Sequence, residues 1–302
     1  MPEPVAARSP RSIAAALEAA VEPLERAGVR DSRREARTLW AAVAGGTMNP
    51  GDVWLHRHRA PAPEVVGRFS EAVARRSSGI PFAYAVGRVG FRTLDLQIDQ
   101  RALIPRPETE GLVELVLDRT RPVQRGDEVG GVVADIGTGC GCIALSLACE
   151  GSFDRVIAVE RSPDAAQLAR ENGELVCPPV PVEVREGDLL APLAGERLRA
   201  IVSNPPYLTE AEYAGVDPGV RLFEPRAALV GGRDGLAVTR ALLAGGRALL
   251  RPGGLIALEI DERRATETAE LARAHGWSHV VVREDLFGRP RFLLAQCSRR
   301  AG

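Results

Sequence analysis

Short runs of apolar residues alternate with segments of helical periodicity from Gly131 to the end of the chain. This alternation is typical of an α/β fold, in which helices cover both faces of a mostly parallel sheet. The last two runs lie close in sequence, so we expect them to form an antiparallel hairpin at one edge. The seven predicted strands are residues 132–136, 155–160, 182–185, 200–203, 255–260, 279–282 and 292–295, and helices are expected to begin near Gly141, Ser162, Asp234 and Glu262.

The first third of the chain has a different, purely helical pattern. Ser32 followed by Glu35 predicts a capping box, and Gly45 with Gly46 predicts the end of the same helix. We predict a small helical domain over residues 1–85, a linking hairpin over 86–110 and the α/β domain over 111–302. Residues 121–131 are polar and rich in glycine and arginine, and they are predicted to form a loop.

Charge and apolar content exclude several classes of protein. The formal net charge is -1 at pH 7, without the basic excess of a dedicated nucleic-acid binder. No stretch approaches about 18 uninterrupted apolar residues, so no membrane span is predicted. Five cysteines form no even disulfide framework, which suggests reduced thiols in a cytoplasm. The cysteines and the four histidines lack the spacing of a zinc site, so no metal is expected.

A glycine-rich segment follows the first strand of the predicted sheet, at residues 137–141. Three glycines at a spacing of two allow positive φ angles and a close approach of the backbone to a ligand. The order Gly-x-Gly-x-Gly, preceded by Asp135, differs from the dinucleotide fingerprint and resembles motif I of class I methyltransferases. The alternative is a purely structural turn. The candidate cofactor-binding residues in this loop are Gly137, Thr138, Gly139, Cys140 and Gly141.

Acidic residues end the next two predicted strands. Glu160 lies about twenty residues beyond the glycine loop, where a carboxylate can accept hydrogen bonds from ribose hydroxyls. Asp188 follows the third strand, where it could bind an adenine amine with the amide of Leu189 nearby. Each acid alone could be a solvated loop charge. Together with Asp135, at consecutive strand ends, they indicate a nucleoside-containing cofactor.

The fourth strand runs into Asn204, Pro205, Pro206 and Tyr207. Two prolines impose a rigid turn, which could serve only to end the strand. The residue types also suit chemistry on a weakly nucleophilic –NH2 group. The Asn204 side-chain carbonyl and the Pro205 backbone carbonyl can accept its two N–H bonds, while Tyr207 stacks on the planar amide. We therefore predict Asn204, Pro205 and Tyr207 as catalytic, all four residues as substrate-binding, and Asn204 also as a cofactor contact.

Several strings together resemble the HemK/PrmC family of release factor glutamine methyltransferases. They are Leu-Ile-Pro-Arg-Pro-Glu-Thr-Glu at residues 103–110 and residues 135–141, 202–207, 224–229, 231–235, 251–254 and 285–291. The resemblance implies a class I methyltransferase, with a Rossmann-like seven-stranded sheet and S-adenosyl-L-methionine as methyl donor. It further implies that the substrate is the glutamine of the Gly-Gly-Gln motif in class I peptide chain release factors, proteins of translation termination. The N-terminal helices would help to dock that partner.

Two departures from the family pattern stand out. Glu160 replaces the aspartate that is common in the family, and Asp261 replaces a glycine. Arg106, Glu108 and Thr109 could line the cofactor pocket or belong to a loop that joins the domains. Neither departure affects the Asn-Pro-Pro-Tyr turn.

Other functions remain open at this level. A sister enzyme that methylates a ribosomal-protein glutamine would share the catalytic turn. An amino-methyltransferase acting on adenine or cytosine in DNA or RNA would need a basic cleft and a recognition domain, which the sequence lacks. A binding module without activity would leave the Asn-Pro-Pro-Tyr turn unexplained. We expect a monomeric cytoplasmic enzyme without direct contact to nucleic acid or membrane.

Overall fold

Five helices form the first of two units, Met1–Arg88 and Val89–Gly302, in a computed structural model that describes residues 10–45, 48–121 and 130–298. The helices are α1 (Ile13–Arg26), α2 (Ser32–Ala44), α3 (Pro50–Leu55), α4 (Pro63–Ser77) and α5 (Phe82–Val86). Trp40 and Phe69 meet edge to face in their core, with ring centroids 4.9 Å apart.

The predicted capping box at the start of α2 is wrong. The N-cap is Asp31, which takes a left-handed conformation at φ 50° and accepts a hydrogen bond from the Arg34 amide. Ser32 is buried, and its hydroxyl donates instead to the carbonyl of Val29. Glu35 pairs with Arg76 at 2.6 Å, which connects α2 to α4. An aspartate one residue earlier satisfies the helix terminus, and Glu35 is left free for a tertiary contact.

The second unit begins with a hairpin and continues as alternating helices and strands. The hairpin strands β1 (Arg88–Phe91) and β2 (Leu94–Gln97) form a sheet of their own. The elements that follow are α6 (Pro107–Thr120), β3 (Val132–Ile136), α7 (Cys142–Glu150), β4 (Arg155–Glu160), α8 (Pro163–Val176), β5 (Val182–Glu186), β6 (Leu198–Ser203), α9 (Glu210–Ala214), α10 (Pro218–Phe223), α11 (Ala237–Leu249), β7 (Leu250–Glu259), α12 (Ala265–Ala274), β8 (Ser278–Glu284) and β9 (Pro290–Gln296).

Strands β3 to β9 form one sheet in the order β5-β4-β3-β6-β7-β9-β8. Strands β3 to β7 are mutually parallel, whereas β9 runs antiparallel to both β7 and β8. The predicted α/β class, all seven strands and the antiparallel edge hairpin are confirmed. Strand order reverses direction between β3 and β6, and ligands of such sheets bind at the carboxyl ends of the strands at this point.

The core of the second unit lies on both faces of the central strands. Every residue of β6 is buried, and so are four of the five residues of β3. Burial on both faces explains why these strands read as continuous apolar runs rather than as alternating patterns. This rigid centre holds the loops that follow the two strands.

Several boundaries differ from their predictions; strand β7, for example, begins at Leu250 instead of residue 255, and the differences at three helices have local causes. Helix α6 begins at Pro107, inside the segment 86–110 that was predicted as a linking hairpin, since proline suits the first helical turn. Helix α11 begins at Ala237, because the side chain of Asp234 accepts from the Leu236 amide and holds a turn there. A 3-10 turn over Glu262–Arg264 precedes α12. Most of the predicted loop over residues 121–131 lies outside the described residues.

Within the described ranges, no helix combines the length and the apolar character needed to cross a bilayer. The same part of the chain contains no group of three or more histidine, cysteine, aspartate or glutamate side chains suited to a metal ion.

Candidate active site

A cavity of about 500 Å³ opens at the carboxyl ends of the central strands, a volume typical of small-molecule sites. Loops after four parallel strands contribute to it. The predicted site residues that line it are Gly137 and Gly139 after β3, Glu160 after β4, Asp188 and Leu189 after β5, and Asn204, Pro205 and Pro206 after β6. The cavity therefore brings together residues that lie far apart in the chain.

Four other predicted residues do not line this cavity: Thr138, Cys140, Gly141 and Tyr207. Arg106, Glu108 and Thr109 are outside its lining as well. Sequence reasoning missed several lining residues, and the family strings offered a signal for some of them. Leu103 begins the Leu-Ile-Pro-Arg-Pro-Glu-Thr-Glu string, and Ala227 and Ala228 belong to the string over residues 224–229.

The glycine loop has a left-handed backbone at each of its glycines. Gly137 has φ 72°, and a Cβ added there would meet no protein atom within 4 Å, so its backbone is open to the cavity. Gly141 has φ 89° and serves packing instead, because a Cβ there would lie 3.3 Å from Leu145 and 3.5 Å from Ala169. The loop thus combines an open cradle with a close contact between helices.

Asp135 lies buried beneath this loop and shapes it. Its Oδ2 accepts from the Thr138 hydroxyl at 2.6 Å and from the Ala144 amide at 3.2 Å. Its Oδ1 has no hydrogen-bond partner among the residues that the structure describes. Burial raises the pKa of the Asp135 carboxyl to about 7, against the two hydrogen bonds that lower it. Asp135 and Thr138 therefore organise the loop rather than contact the cavity.

Glu160 is held by backbone amides at the cavity wall. Its Oε1 accepts from the amides of Arg161 at 2.8 Å and Ser162 at 2.9 Å. Its Oε2 accepts from the Gly139 amide at 3.0 Å, which ties the acid to the glycine loop. Ser162 also caps α8 by accepting from the Ala165 amide. The start of α8 thus orients the carboxylate toward the cavity.

Asn172 is a supporting residue that sequence reasoning missed. It is fully buried on α8, where its Oδ1 accepts from the Gln97 amide at 2.7 Å. Its Nδ2 donates to the carbonyls of Gln97 at 3.0 Å and Cys140 at 2.9 Å. Cys140 is therefore engaged through its backbone, and the hairpin strand β2 is fastened to the glycine loop. The only local signal was that Asn172 follows Ala165 and Leu168 along the apolar face of the helix.

The Asn-Pro-Pro-Tyr turn is held by a second glycine segment. The amide of Leu208 donates to the Leu229 carbonyl at 2.9 Å, and that of Gly231 donates to the Leu208 carbonyl at 2.8 Å. A Cβ added to Gly231 would lie 2.2 Å from the carbonyl oxygen of Pro206. One at Gly235 would lie 2.3 Å from the oxygen of Tyr207. Only glycine leaves room for the turn at this distance.

Asn204 is the first member of a hydrogen-bonded chain that leads away from the cavity. Its Nδ2 donates to the Thr109 hydroxyl at 3.0 Å, and that hydroxyl donates to Glu259 Oε2 at 2.7 Å. Thr109 and Glu259 are both 2% exposed. Since Nδ2 is engaged by Thr109, Oδ1 is the atom of the amide that is available as an acceptor.

Two neighbouring groups complete this region. Burial raises the pKa of Tyr207 to about 12, and the Glu259 carboxylate adds to the rise, so the phenol is neutral at physiological pH. Buried Glu224 accepts from the Arg106 guanidinium at 2.7 Å and from the Ile104 amide at 3.2 Å. Arg106 thus fastens the segment before α6 to the segment before Arg226.

Comparison with solved structures identifies the fold. The chain resembles a methyltransferase from Pyrococcus furiosus, with a TM-score of 0.52 and 20% identity, over 74% of this chain and 99% of that one. It also resembles the hMettl16 catalytic domain, crystallised with an RNA hairpin, with a TM-score of 0.53 and 18% identity, over 78% and 81% of the two chains. The fold and the site together define a class I S-adenosylmethionine-dependent methyltransferase.

Family models and curated relatives are more specific. The PrmC N-terminal domain model matches residues 15–87, and the methyltransferase small domain model matches residues 120–222. The release factor glutamine methyltransferase of Moorella thermoacetica is 41% identical over 93% of this chain and 96% of its own length. That of Deinococcus radiodurans is 41% identical over 95% and 98%. The chain belongs to the release factor glutamine methyltransferase family, and its methyl donor is S-adenosyl-L-methionine.

Proposed function

We propose that this protein transfers a methyl group to the side-chain amide nitrogen of the glutamine in the Gly-Gly-Gln motif of class I peptide chain release factors. The names of its relatives support this substrate. The observation that carries the chemistry is the orientation of Asn204, whose Nδ2 is engaged by Thr109 at the edge of the cavity. Its Oδ1 is thereby available to a substrate –NH2 group.

The residues around the cavity fit the proposed cofactor. Gly137 and Gly139 offer a backbone cradle that a Cβ would fill, which suits close approach of a ligand. Glu160 offers a carboxylate to the ribose. Three backbone amides already occupy three of its roughly four acceptor positions. A pair of ribose hydroxyls would therefore compete with the Gly139 amide for one of these positions. Asp188 and Leu189 line the same cavity, which supports the proposal that the Asp188 carboxylate and the Leu189 amide bind the adenine edge.

The protein's contribution to transfer is orientation. S-adenosyl-L-methionine supplies an electrophilic methyl on a cationic sulfur. Asn204 Oδ1 and the Pro205 carbonyl accept hydrogen bonds from the two N–H groups of the glutamine amide. They thereby orient its nitrogen toward the methyl group. Orientation of this kind can lower a barrier by up to about 7–11 kcal/mol in well-ordered systems. The same dipoles stabilise the positive charge that develops on nitrogen, and no general base is needed before the methyl has moved.

Tyr207 is proposed to pack against the glutamine amide from outside the cofactor cavity. Its phenol is desolvated and neutral, which favours an apolar contact with a planar group. This position suits a residue that holds the protein substrate rather than the cofactor.

We propose that the helical domain of residues 1–85 docks the release factor, that residues 86–110, which contain the β1–β2 hairpin and the first turn of α6, are the linker, and that 111–302 carry out methyl transfer. The match of the PrmC N-terminal domain to residues 15–87 supports the first of these roles. We further propose a monomer in the cytoplasm with no direct nucleic-acid contact; all five cysteines are free thiols, which suits a reducing compartment.

The test offers labelled S-adenosyl-L-methionine with three acceptors: a purified class I release factor, ribosomal protein and an oligonucleotide. We expect label on the release factor, at the Gly-Gly-Gln glutamine when the product is digested and weighed by mass spectrometry. A release factor with Gly-Gly-Asn in place of Gly-Gly-Gln is the matched control and should stay unlabelled. Label confined to ribosomal protein or to nucleic acid would replace this proposal with one of the rival functions.

A further inference from the structure

We propose, resting on the proposed function, that Thr109 and Glu259 are positioning residues that fix which end of the Asn204 amide faces the substrate. Neither residue lines the cofactor cavity. Their effect on transfer would act entirely through Asn204.

The need for such a device follows from the shape of a carboxamide. Its oxygen and nitrogen ends are nearly the same size, so packing alone does not distinguish the two orientations. With Oδ1 toward the substrate, Asn204 accepts a hydrogen bond from an –NH2 group. With Nδ2 toward the substrate, two donors would face each other and the amide would not bind. Only hydrogen bonds behind Asn204 can select the first orientation.

The observed hydrogen bonds select the first orientation because the Thr109 hydroxyl has only one proton to donate. The Thr109 hydroxyl carries one proton, which it uses to donate a hydrogen bond of 2.7 Å to Glu259. It can then only accept from Asn204, and at 3.0 Å it accepts from Nδ2. An ionised Glu259 accepts and never donates, so the direction of the whole chain is set at its buried end.

The chain spans three separate elements of the second unit. Thr109 lies in the first turn of α6, Glu259 ends β7, and Asn204 follows β6. Burying a carboxylate and a hydroxyl carries a desolvation penalty that apolar side chains of the same size would avoid. A buried polar chain that ends on a site residue is therefore well suited to specifying one geometry.

Protonation of Glu259 would remove the constraint. A protonated carboxyl can donate to the Thr109 hydroxyl, which then donates to Asn204 Oδ1 and turns the amide around. Burial raises the pKa of Glu259 to about 7, and the Thr109 hydrogen bond opposes the rise. The charged and titratable groups that face Glu259 are Arg106 and Arg291, which lower its pKa, Glu108, which raises it, and the neutral phenol of Tyr207.

The experiment measures single-turnover methyl transfer to a purified class I release factor by the full-length protein and its variants. Thr109→Val removes both hydrogen bonds without changing shape, and Thr109→Ser keeps the hydroxyl. The matched control is Thr120→Val in the same helix, since Thr120 is buried and, among the described residues, its hydroxyl donates to carbonyls of α6 itself. We expect Thr109→Val to slow transfer by about 10²-fold. Thr109→Ser should restore most of the rate, and Thr120→Val should leave it unchanged.

Two further readouts distinguish a positioning role of Thr109 and Glu259 from a purely structural one. Affinity for S-adenosyl-L-methionine, measured by calorimetry, should be unchanged in Thr109→Val. The transfer rate of the unaltered protein should fall as pH drops below about 7. Glu259→Gln should lose the acid limb, because a carboxamide does not titrate in this range, and should be slower near neutral pH, because its amide can donate to Thr109 as well as accept and no longer selects one orientation of Asn204.

The outcomes separate this inference from the proposed function. No transfer by the unaltered protein would overturn the proposed function and the role of the chain together. Normal transfer by the unaltered protein and by folded Thr109→Val would overturn the positioning role of Thr109 and Glu259 and leave the proposed function intact. If Thr109→Val does not fold, Glu259→Gln decides: a rate and an acid limb like those of the unaltered protein would overturn the inference.

Discussion

The Ser203 hydroxyl donates a hydrogen bond of 2.7 Å to the carbonyl of Ile136, 67 residues earlier in the chain. Ser203 is the last residue of β6, and Ile136 is the last residue of β3. The order of the strands in the sheet reverses between these two neighbours. The bond sets the Asn-Pro-Pro-Tyr turn beside the glycine loop. Methyl donor and acceptor would therefore meet at the carboxyl ends of the two most buried strands, β6 and β3.

Asn204→Ala removes the proposed acceptor of the substrate N–H. We expect methyl transfer to fall by about 10²–10³-fold, the usual effect of deleting one preorganised dipole at a reacting group. Affinity for S-adenosyl-L-methionine should change little, because Gly137, Gly139 and Glu160 remain. Transfer kinetics and titration calorimetry on the same preparation measure the two effects. Near-normal transfer by this variant would exclude Asn204 from the reaction.

Gly231→Ala tests whether the second glycine segment holds the catalytic turn. The new Cβ would lie 2.2 Å from the Pro206 oxygen, so the turn must move. We expect a loss of transfer of about 10²-fold, since a displacement of 1 Å can have that effect. Gly173→Ala is the control: it lies within α8, a Cβ there meets no atom within 4 Å, and alanine should stabilise the helix by about 0.5–1 kcal/mol. Equal activities of the two variants would contradict the assignment.

Glu160→Gln tests the ribose contact. A neutral amide cannot match the charge-assisted hydrogen bonds of a carboxylate, and one of its ends would face backbone donors. We expect affinity for S-adenosyl-L-methionine to weaken by about 10- to 100-fold, in line with about 1.5–3 kcal/mol for a hydrogen bond to a charged group. Glu186→Gln, at the exposed end of neighbouring β5, is the matched control and should bind normally. An unchanged affinity in Glu160→Gln would remove the residue from the cofactor site.

Asp135→Asn tests the buried carboxyl beneath the glycine loop. Its pKa is raised from 3.8 to about 7, so between these values the folded state binds more protons than the unfolded state. The free energy of unfolding should therefore decrease as pH rises from about 4 to about 7, with no further loss from this group above.

The asparagine variant should show a smaller decrease over that interval in urea unfolding experiments. Some decrease should remain, because the pKa of Glu259 is raised in the same direction, and Asp135→Asn combined with Glu259→Gln should reduce it further. Parallel curves for the single variant and the unaltered protein would show that Asp135 does not titrate in this range.

Features with a local cause were predictable. Strand β3 followed by Gly137 and Gly139 was identified from apolar content and from glycines that take positive φ. The prediction of the cap of α2 failed for a local reason as well, because two neighbouring residues competed for the same role. Asp31 and Ser32 can each cap a helix, and the choice of Asp31 depended on burial of the Ser32 side chain.

The supporting residues of the site could not be found in this way. Asn172 reaches the Gln97 backbone across 75 positions, and Thr109 reaches Glu259 across 150. The neighbouring sequence places Asn172 on the apolar face of α8 and Thr109 in the Leu-Ile-Pro-Arg-Pro-Glu-Thr-Glu string, but it does not identify the groups that they bind. Their partners are known only once helices and strands have packed.

The order of residues along the chain was enough for the α/β class, the seven strands, the glycine loop and the Asn-Pro-Pro-Tyr turn, because each depends on neighbours a few positions away. Tertiary packing alone decided that the Asn204 amide meets Thr109 and that Glu259 lies buried behind it. Hydrogen-bond direction and burial are properties of groups brought together in space. A pattern of spacing predicts a candidate catalytic residue, whereas the orientation of its side chain is set by side chains from distant elements.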